Sequence, residues 1–270
     1  MKIETCVLPT FGIDAEITKC QIESPLIQTY PRSPDVSDSQ SELSRSLEEF
    51  CNSLAEIGID RFMERFKKKS GQHLSFTLKP YSIGYDPSDR QESIYFYKDG
   101  KHSLFLGVKG EGDDPIWVGI CGIRMTHDFK EYYNKLGSNS HFKSTSYKLP
   151  CVVQIQGKKS LHSKEDKLLD LAVSSYKWER ALAFFATEWA RIEGFPAFYM
   201  LPAEKNAWNN KIRESNFLLR YDVTARRLGF RMQENGLYGL SLFSTQPSDL
   251  ALELCQWNAR NGDSQELRHP

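Results

Sequence analysis

Residues 103–125 read SLFLGVKGEGDDPIWVGICGIRM: two apolar runs, SLFLGV and IWVGICGIRM, on either side of KGEGDD. The runs are the length of strands, and the Gly and Asp between them tolerate positive φ, so the stretch predicts a β-hairpin. Working outward, LSFTL (74–78) and SIYFY (93–97) predict further strands upstream, separated by the turn-forming DPSD and KDGK. Downstream, the Ser- and Asn-rich GSNSHFKSTSYK (137–148) lacks an apolar period and reads as a loop. LPCVVQIQG (149–157) then predicts a strand ended by Gly157 and Lys158–Lys159.

The period changes after that strand. Trp178, Leu182, Phe185, Trp189 and Ile192 fall on one helical stripe while Glu179, Arg180, Glu188 and Arg191 lie away from it, predicting a helix over 176–193 closed by Gly194. A shorter helix over 164–173 precedes it, with Ser163 and Asp166 resembling a capping box. PAFYMLPA (196–203) reads as a strand between prolines and 217–228 as a helix stopped at Gly229. FRMQENGLYGLSLF (230–243) reads as a hairpin around Glu-Asn-Gly. Beyond Trp257 the chain is polar and predicted to fray.

On the amino-terminal side, Leu43, Leu47, Phe50, Leu54, Ile57, Phe62 and Phe66 recur at helical steps, as one long helix or two broken at Gly58. TYPRSPDVSDSQS (29–41) reads as a linker, and residues 2–28 are compatible with one or two strands. The expected division is an N-terminal extension over 1–74, an α/β domain over 75–245 and a C-terminal helix or tail over 246–270. The α/β domain should hold a mixed, mostly antiparallel sheet flanked by helices.

The chain has 270 residues, with 35 Lys plus Arg against 35 Asp plus Glu. A neutral balance provides no global field for DNA, RNA or an anionic membrane, and neither nucleic acid nor membrane is an expected partner. The charge is uneven, however. Residues 1–135 carry 17 basic and 21 acidic side chains and residues 136–270 carry 18 and 14, so an anion belongs with the second half. There, 205–231 holds seven basic residues against Glu214 and Asp222, and Arg220, Arg226, Arg227 and Arg231 form either a cationic surface or a solvated face. The six cysteines show no Cys-x-x-Cys pair and no His at zinc-ligand spacing, so no metal is expected and the thiols read as small buried hydrophobes of a reducing compartment. With neither a signal-like apolar stretch nor a long apolar span, the protein reads as cytoplasmic.

The order strand, strand, loop, strand, helix, strand, helix, strand, strand from Ser103 resembles the GNAT family of N-acyltransferases. SLFLGVKGEGDDPIWVGICGIRM resembles its second and third strands, and ARRLGF (225–230) resembles the end of its fourth helix. The resemblance covers roughly residues 75–243. It implies an acyl group passed from acyl-CoA to an amine by direct attack, with acyl-CoA as co-substrate and an unidentified amine as acceptor. It also implies a donor arm held along the strand at Val153 and a pyrophosphate cradle in Gln154-Ile155-Gln156-Gly157-Lys158-Lys159. The cradle's Gln and first Gly match the family pattern Gln/Arg-x-x-Gly-x-Gly/Ala, and Lys159 replaces its last small residue. Lys158 and Lys159 are then point charges for phosphate; read without the resemblance, QIQGKKS is an ordinary strand end.

The resemblance further implies a place near the donor arm for Asn206, otherwise a turn residue. Ala225 stands where many members have a Tyr that protonates the departing thiolate, and Tyr221, one helical turn earlier, is the substitute acid or else a half-buried helix residue. His127, followed by Asp128, is the candidate base for the amine. A catalytically silent binding or scaffold protein of the same fold is the alternative.

Overall fold

A computed structural model describes residues 40–82, 100–110, 114–129, 148–158, 164–206, 217–243 and 248–266. The fold is α/β, a seven-stranded sheet flanked by helices, in the order β1-β2-β3-β4-β5-β7-β6. The strands are β1 (Phe76–Ser82), β2 (His102–Val108), β3 (Ile116–Met125), β4 (Pro150–Gly157), β5 (Ala197–Met200), β6 (Arg231–Met232) and β7 (Tyr238–Ser241). Every neighbouring pair is antiparallel except β4 and β5, which are parallel. The hairpin predicted over 103–125 is β2 and β3, with Ser103 opposite Gly122 and Phe105 opposite Ile120.

The helices are α1 (Gln40–Ile57), α2 (Ile59–Met63), α3 (Lys164–Ser175), α4 (Trp178–Ile192), α5 (Thr224–Arg227) and α6 (Asp249–Glu266). Gly58 separates α1 from α2 at φ 88°, a conformation that costs a side-chain-bearing residue but not glycine. Both helices bury their apolar stripes in the core that covers one face of the sheet. Leu47 and Phe62 join Leu104, Val118 and Val152 of the sheet, Leu182 and Trp189 of α4, and Leu254 of α6. The Trp189 indole N–H donates to Ser46 Oγ at 2.8 Å, fixing α4 against α1 inside this core.

Two expectations from the sequence are corrected. The chain after Trp257 does not fray there, because α6 continues to Glu266. Its start is anchored by Ser248, whose hydroxyl accepts the Ala251 N–H at 3.1 Å and donates to Glu188 Oε2 at 2.6 Å. Arg61 and Arg65 pair with Glu253 and Asp249 on its first turns. Glu188 does not lie away from the apolar stripe of α4 but is buried. Arg191 Nε at 3.4 Å and the Ser248 hydroxyl accompany it, which makes the burial of a carboxylate tolerable. The strand SIYFY, Ser163 and residues 29–39 of the linker lie outside the described residues, while Gln40 and Ser41, expected in the linker, begin α1. Among the described helices none is long and apolar enough to cross a membrane.

Candidate functional site where β4 and β5 part

Two local irregularities open the sheet at one place. On one side of β4, Gly122 pairs with Gln154 while the next residue of β3, Ile123, pairs with Val152, so Val153 is an extra residue bulged out of register. On the other side, β5 pairs with β4 only at Cys151–Tyr199 and Val152–Met200, with a last bond from the Leu201 N–H to Val152 O at 2.9 Å. Pro202 then follows, without an N–H to extend the ladder, and the chain turns through Ala203–Lys205. From Val153 onward β4 therefore faces a wedge in place of a strand.

Side chains fill that wedge. The Ile155 N–H donates to the hydroxyl of Tyr221 at 2.9 Å, and Asn206 Nδ2 donates to the same hydroxyl at 2.9 Å and to Val153 O at 3.3 Å. The backbone polar groups that β5 would have met are satisfied by a phenol and a carboxamide, as buried groups must be. Tyr221 and Asn206 are themselves buried. Tyr221 stands on Leu219–Val223, a π-helical turn leading into α5, which replaces the plain helix expected over 217–228. Its ring stacks on Phe217 with centroids 5.8 Å apart and planes 5° apart.

The next residue of the π turn, Asp222, is buried too. Its Oδ2 accepts the Ala203 N–H at 2.8 Å and its Oδ1 accepts the Tyr238 hydroxyl at 2.9 Å, while Arg226 Nε donates to that hydroxyl at 3.2 Å. Burial raises the Tyr238 pKa, with the hydrogen bond to Asp222 reinforcing and Arg226 opposing the shift. This network holds the far wall of the wedge, from the turn after β5 to β7. Nothing in the sequence pattern pointed to Asp222 or Tyr238, because the partners that hold them come from other segments of the chain.

Of the residues expected to form a site, the structure brings Val153, Asn206 and Tyr221 together. Gln154 is buried on the opposite edge of the strand, its side chain lying across Gly122 and donating to Gln156 Oε1 at 3.0 Å. The Lys158 N–H is bonded to Val118 O at 2.9 Å, extending the β3–β4 ladder, so that amide is not part of a phosphate cradle. Gly157 is a strand residue whose side-chain direction is occupied by the Trp178 indole: a Cβ there would lie 2.9 Å from Cζ2. Close packing under α4 thus explains this glycine without a ligand. Lys159 lies outside the described residues. His127 is exposed in the 3₁₀ turn Thr126–Asp128 after β3, beside the start of β4 and about 10 Å along that strand from Val153.

Among the described residues no three His, Cys, Asp or Glu side chains gather as metal ligands. Cys51, Cys121, Cys151 and Cys255 are not disulfide-bonded, and burial pushes their thiols up. Comparison of the chain with family models, with curated proteins and with solved structures finds no match.

Proposed function

We propose that the wedge between β4 and β5 is an acyl-CoA groove and that the protein is an acyl-CoA-dependent N-acyltransferase. One observation carries this reading: two parallel strands part beside the Val153 bulge, and a tyrosine hydroxyl stands at the strand edge that β5 leaves. A backbone N–H at a bulge, released from the ladder, is suited to stabilise the oxyanion of a thioester under attack. The acceptor amine attacks the acyl carbonyl, the C–S bond breaks as the amide forms, and the thiolate takes a proton. Tyr221 is the nearest donor for that proton, and the two N–H groups on its oxygen stabilise the negative charge left behind. The amine loses its own proton to water or to His127 through water.

A second reading rests on the same hydrogen bonds. Because Tyr221 and Asn206 already meet Ile155 N–H and Val153 O, the wedge is complete without a ligand, as in a silent binding protein of this fold. Calorimetry and thermal shift with CoA and acetyl-CoA, followed by thiol release with a panel of amines, separate the two. Binding with amine-dependent thiol release supports the transferase. No binding at about 1 mM ligand, an affinity floor near 4 kcal/mol, sinks it and leaves the silent protein.

A further inference from the structure

One buried carboxylate joins the two segments that supply the side chains of the wedge. Asp222 directly follows Tyr221 on the π turn, and both are buried, but they face different partners. Tyr221 reaches β4 through the Ile155 N–H, whereas Asp222 turns to the chain that leaves β5 and to β7. Its Oδ2 accepts the Ala203 N–H at 2.8 Å, and its Oδ1 accepts the Tyr238 hydroxyl at 2.9 Å. Ala203 opens the 3₁₀ turn that delivers Asn206, a turn closed by the Asn206 N–H on Ala203 O at 3.1 Å. Asp222 thus grips the turn that carries Asn206 while its backbone neighbour is Tyr221, and those two residues meet at 2.9 Å against β4.

The chemistry of the position suits an aspartate. Both partners are donors, an amide N–H and a phenol O–H, and a carboxylate is the short side chain with two acceptor oxygens and no donor. Burying the charge is costly unless it is hydrogen-bonded and accompanied by a cation. Arg226, one turn on, accompanies it: Nη2 lies 3.8 Å from Oδ1, and Nε donates to the Tyr238 hydroxyl at 3.2 Å. Among the described helices the π geometry occurs at this place alone, over Leu219–Val223, with the Thr224 hydroxyl donating across the turn to Leu219 O at 3.3 Å. Single π turns of this kind are frequent at functional sites.

We propose that Asp222 is the positioning residue of the wedge: it ties the π turn to the turn after β5, so that the Tyr221 hydroxyl and the Asn206 carboxamide meet the edge of β4 together. Its effect on turnover rests on the transferase reading; its effect on Tyr221 does not.

The test is NMR of single amides on the full chain, with thiol release as a second readout. In Asp222→Ala the Ile155 amide proton should shift toward its position in Tyr221→Phe and exchange about tenfold faster, with the amides of β2 unmoved. Ser248→Ala, which removes the cap of α6, should leave the Ile155 shift at its wild-type value, because lost stability alone does not move a native-state shift. In the Tyr221→Phe background Asp222→Ala should add nothing at Ile155, since the contact it positions is gone. Asp222→Asn should fall between wild type and Asp222→Ala, as its carboxamide keeps one acceptor oxygen. In the wild type, the Ala203 and Ile155 amides should exchange through one shared opening with the same urea dependence, which reads the link without any substitution. With acyl-CoA and an amine that release thiol, Asp222→Ala should lower kcat about tenfold at nearly unchanged KM for the donor, with no further loss on Tyr221→Phe. An unmoved Ile155 shift in Asp222→Ala, additive effects with Tyr221→Phe, or an Ala203 amide that opens separately while Ile155 stays protected overturns the proposal. Absence of thiol release in the wild type removes the transferase reading alone, and the amide shifts still decide the role of Asp222.

Discussion

Tyr221→Phe removes one oxygen atom from the wedge and nothing else. The Ile155 N–H then has no acceptor in a buried position, a loss of about 1–3 kcal/mol, whereas Asn206 keeps its contact with Val153 O. Stacking on Phe217 is unaffected, since the ring remains. A destabilisation of about 2 kcal/mol should lower the melting temperature by roughly 4–8 °C for a chain of this size. Urea titration should show a lower midpoint at unchanged slope, and hydrogen exchange resolved to single amides should show faster exchange at Ile155 with β2 and β3 unchanged. Asn206→Ala should cost less on its own, and the double variant should fall short of the sum because the two side chains share one hydroxyl. An unchanged urea midpoint together with an unchanged Ile155 exchange rate would refute the claim that the phenol completes the edge of β4.

Gly119→Ala should destabilise by about 1–3 kcal/mol in thermal melts, because its Cβ would stand 2.5 Å from Trp178 Cζ3 and the indole is wedged between α4 and the sheet. Gly157→Ala, at 2.9 Å from the same ring, should cost less; the reverse order would mean that Trp178 is not held as described. Ser248→Ala should cost about 1–2 kcal/mol through loss of the α6 cap and leave Glu188 with Arg191 alone, read as earlier proteolysis of α6 and a lower urea midpoint. Glu179→Gln should stabilise the protein near neutral pH. Burial raises the folded-state pKa of Glu179, so its favourable contribution is complete only below the unfolded pKa and is lost as pH rises through the folded one. The advantage of the glutamine should therefore vanish in acid, and a gain that persists there would exclude this cause.

The sheet was legible from local pattern because its signals are local. Apolar runs bounded by Gly and Asp located β2, β3 and β4, the helical stripe from Trp178 to Trp189 located α4, and glycines marked where α4 and α5 stop. Those features depend on backbone preference and periodicity over a few residues. The stripe failed at Glu188, whose burial depends on Ser248, sixty residues away. The persistence of α6 beyond Trp257 was missed because its first turns are fixed by Arg61 and Arg65 of a distant segment.

The sequence by itself determined the class of fold, the succession of its elements and three residues, Val153, Asn206 and Tyr221, that come together. Only the tertiary structure decided what those residues do. A bulge is a mismatch between two strands, a wedge is the failure of a third to pair, and neither exists in one strand's own residues. Likewise the role of Gly157 came from Trp178, a residue of another element that packs over it. Which carboxylate an arginine meets is decided in the same way, as Arg61 of α2 and Glu253 of α6 show, by contacts between segments far apart in the chain.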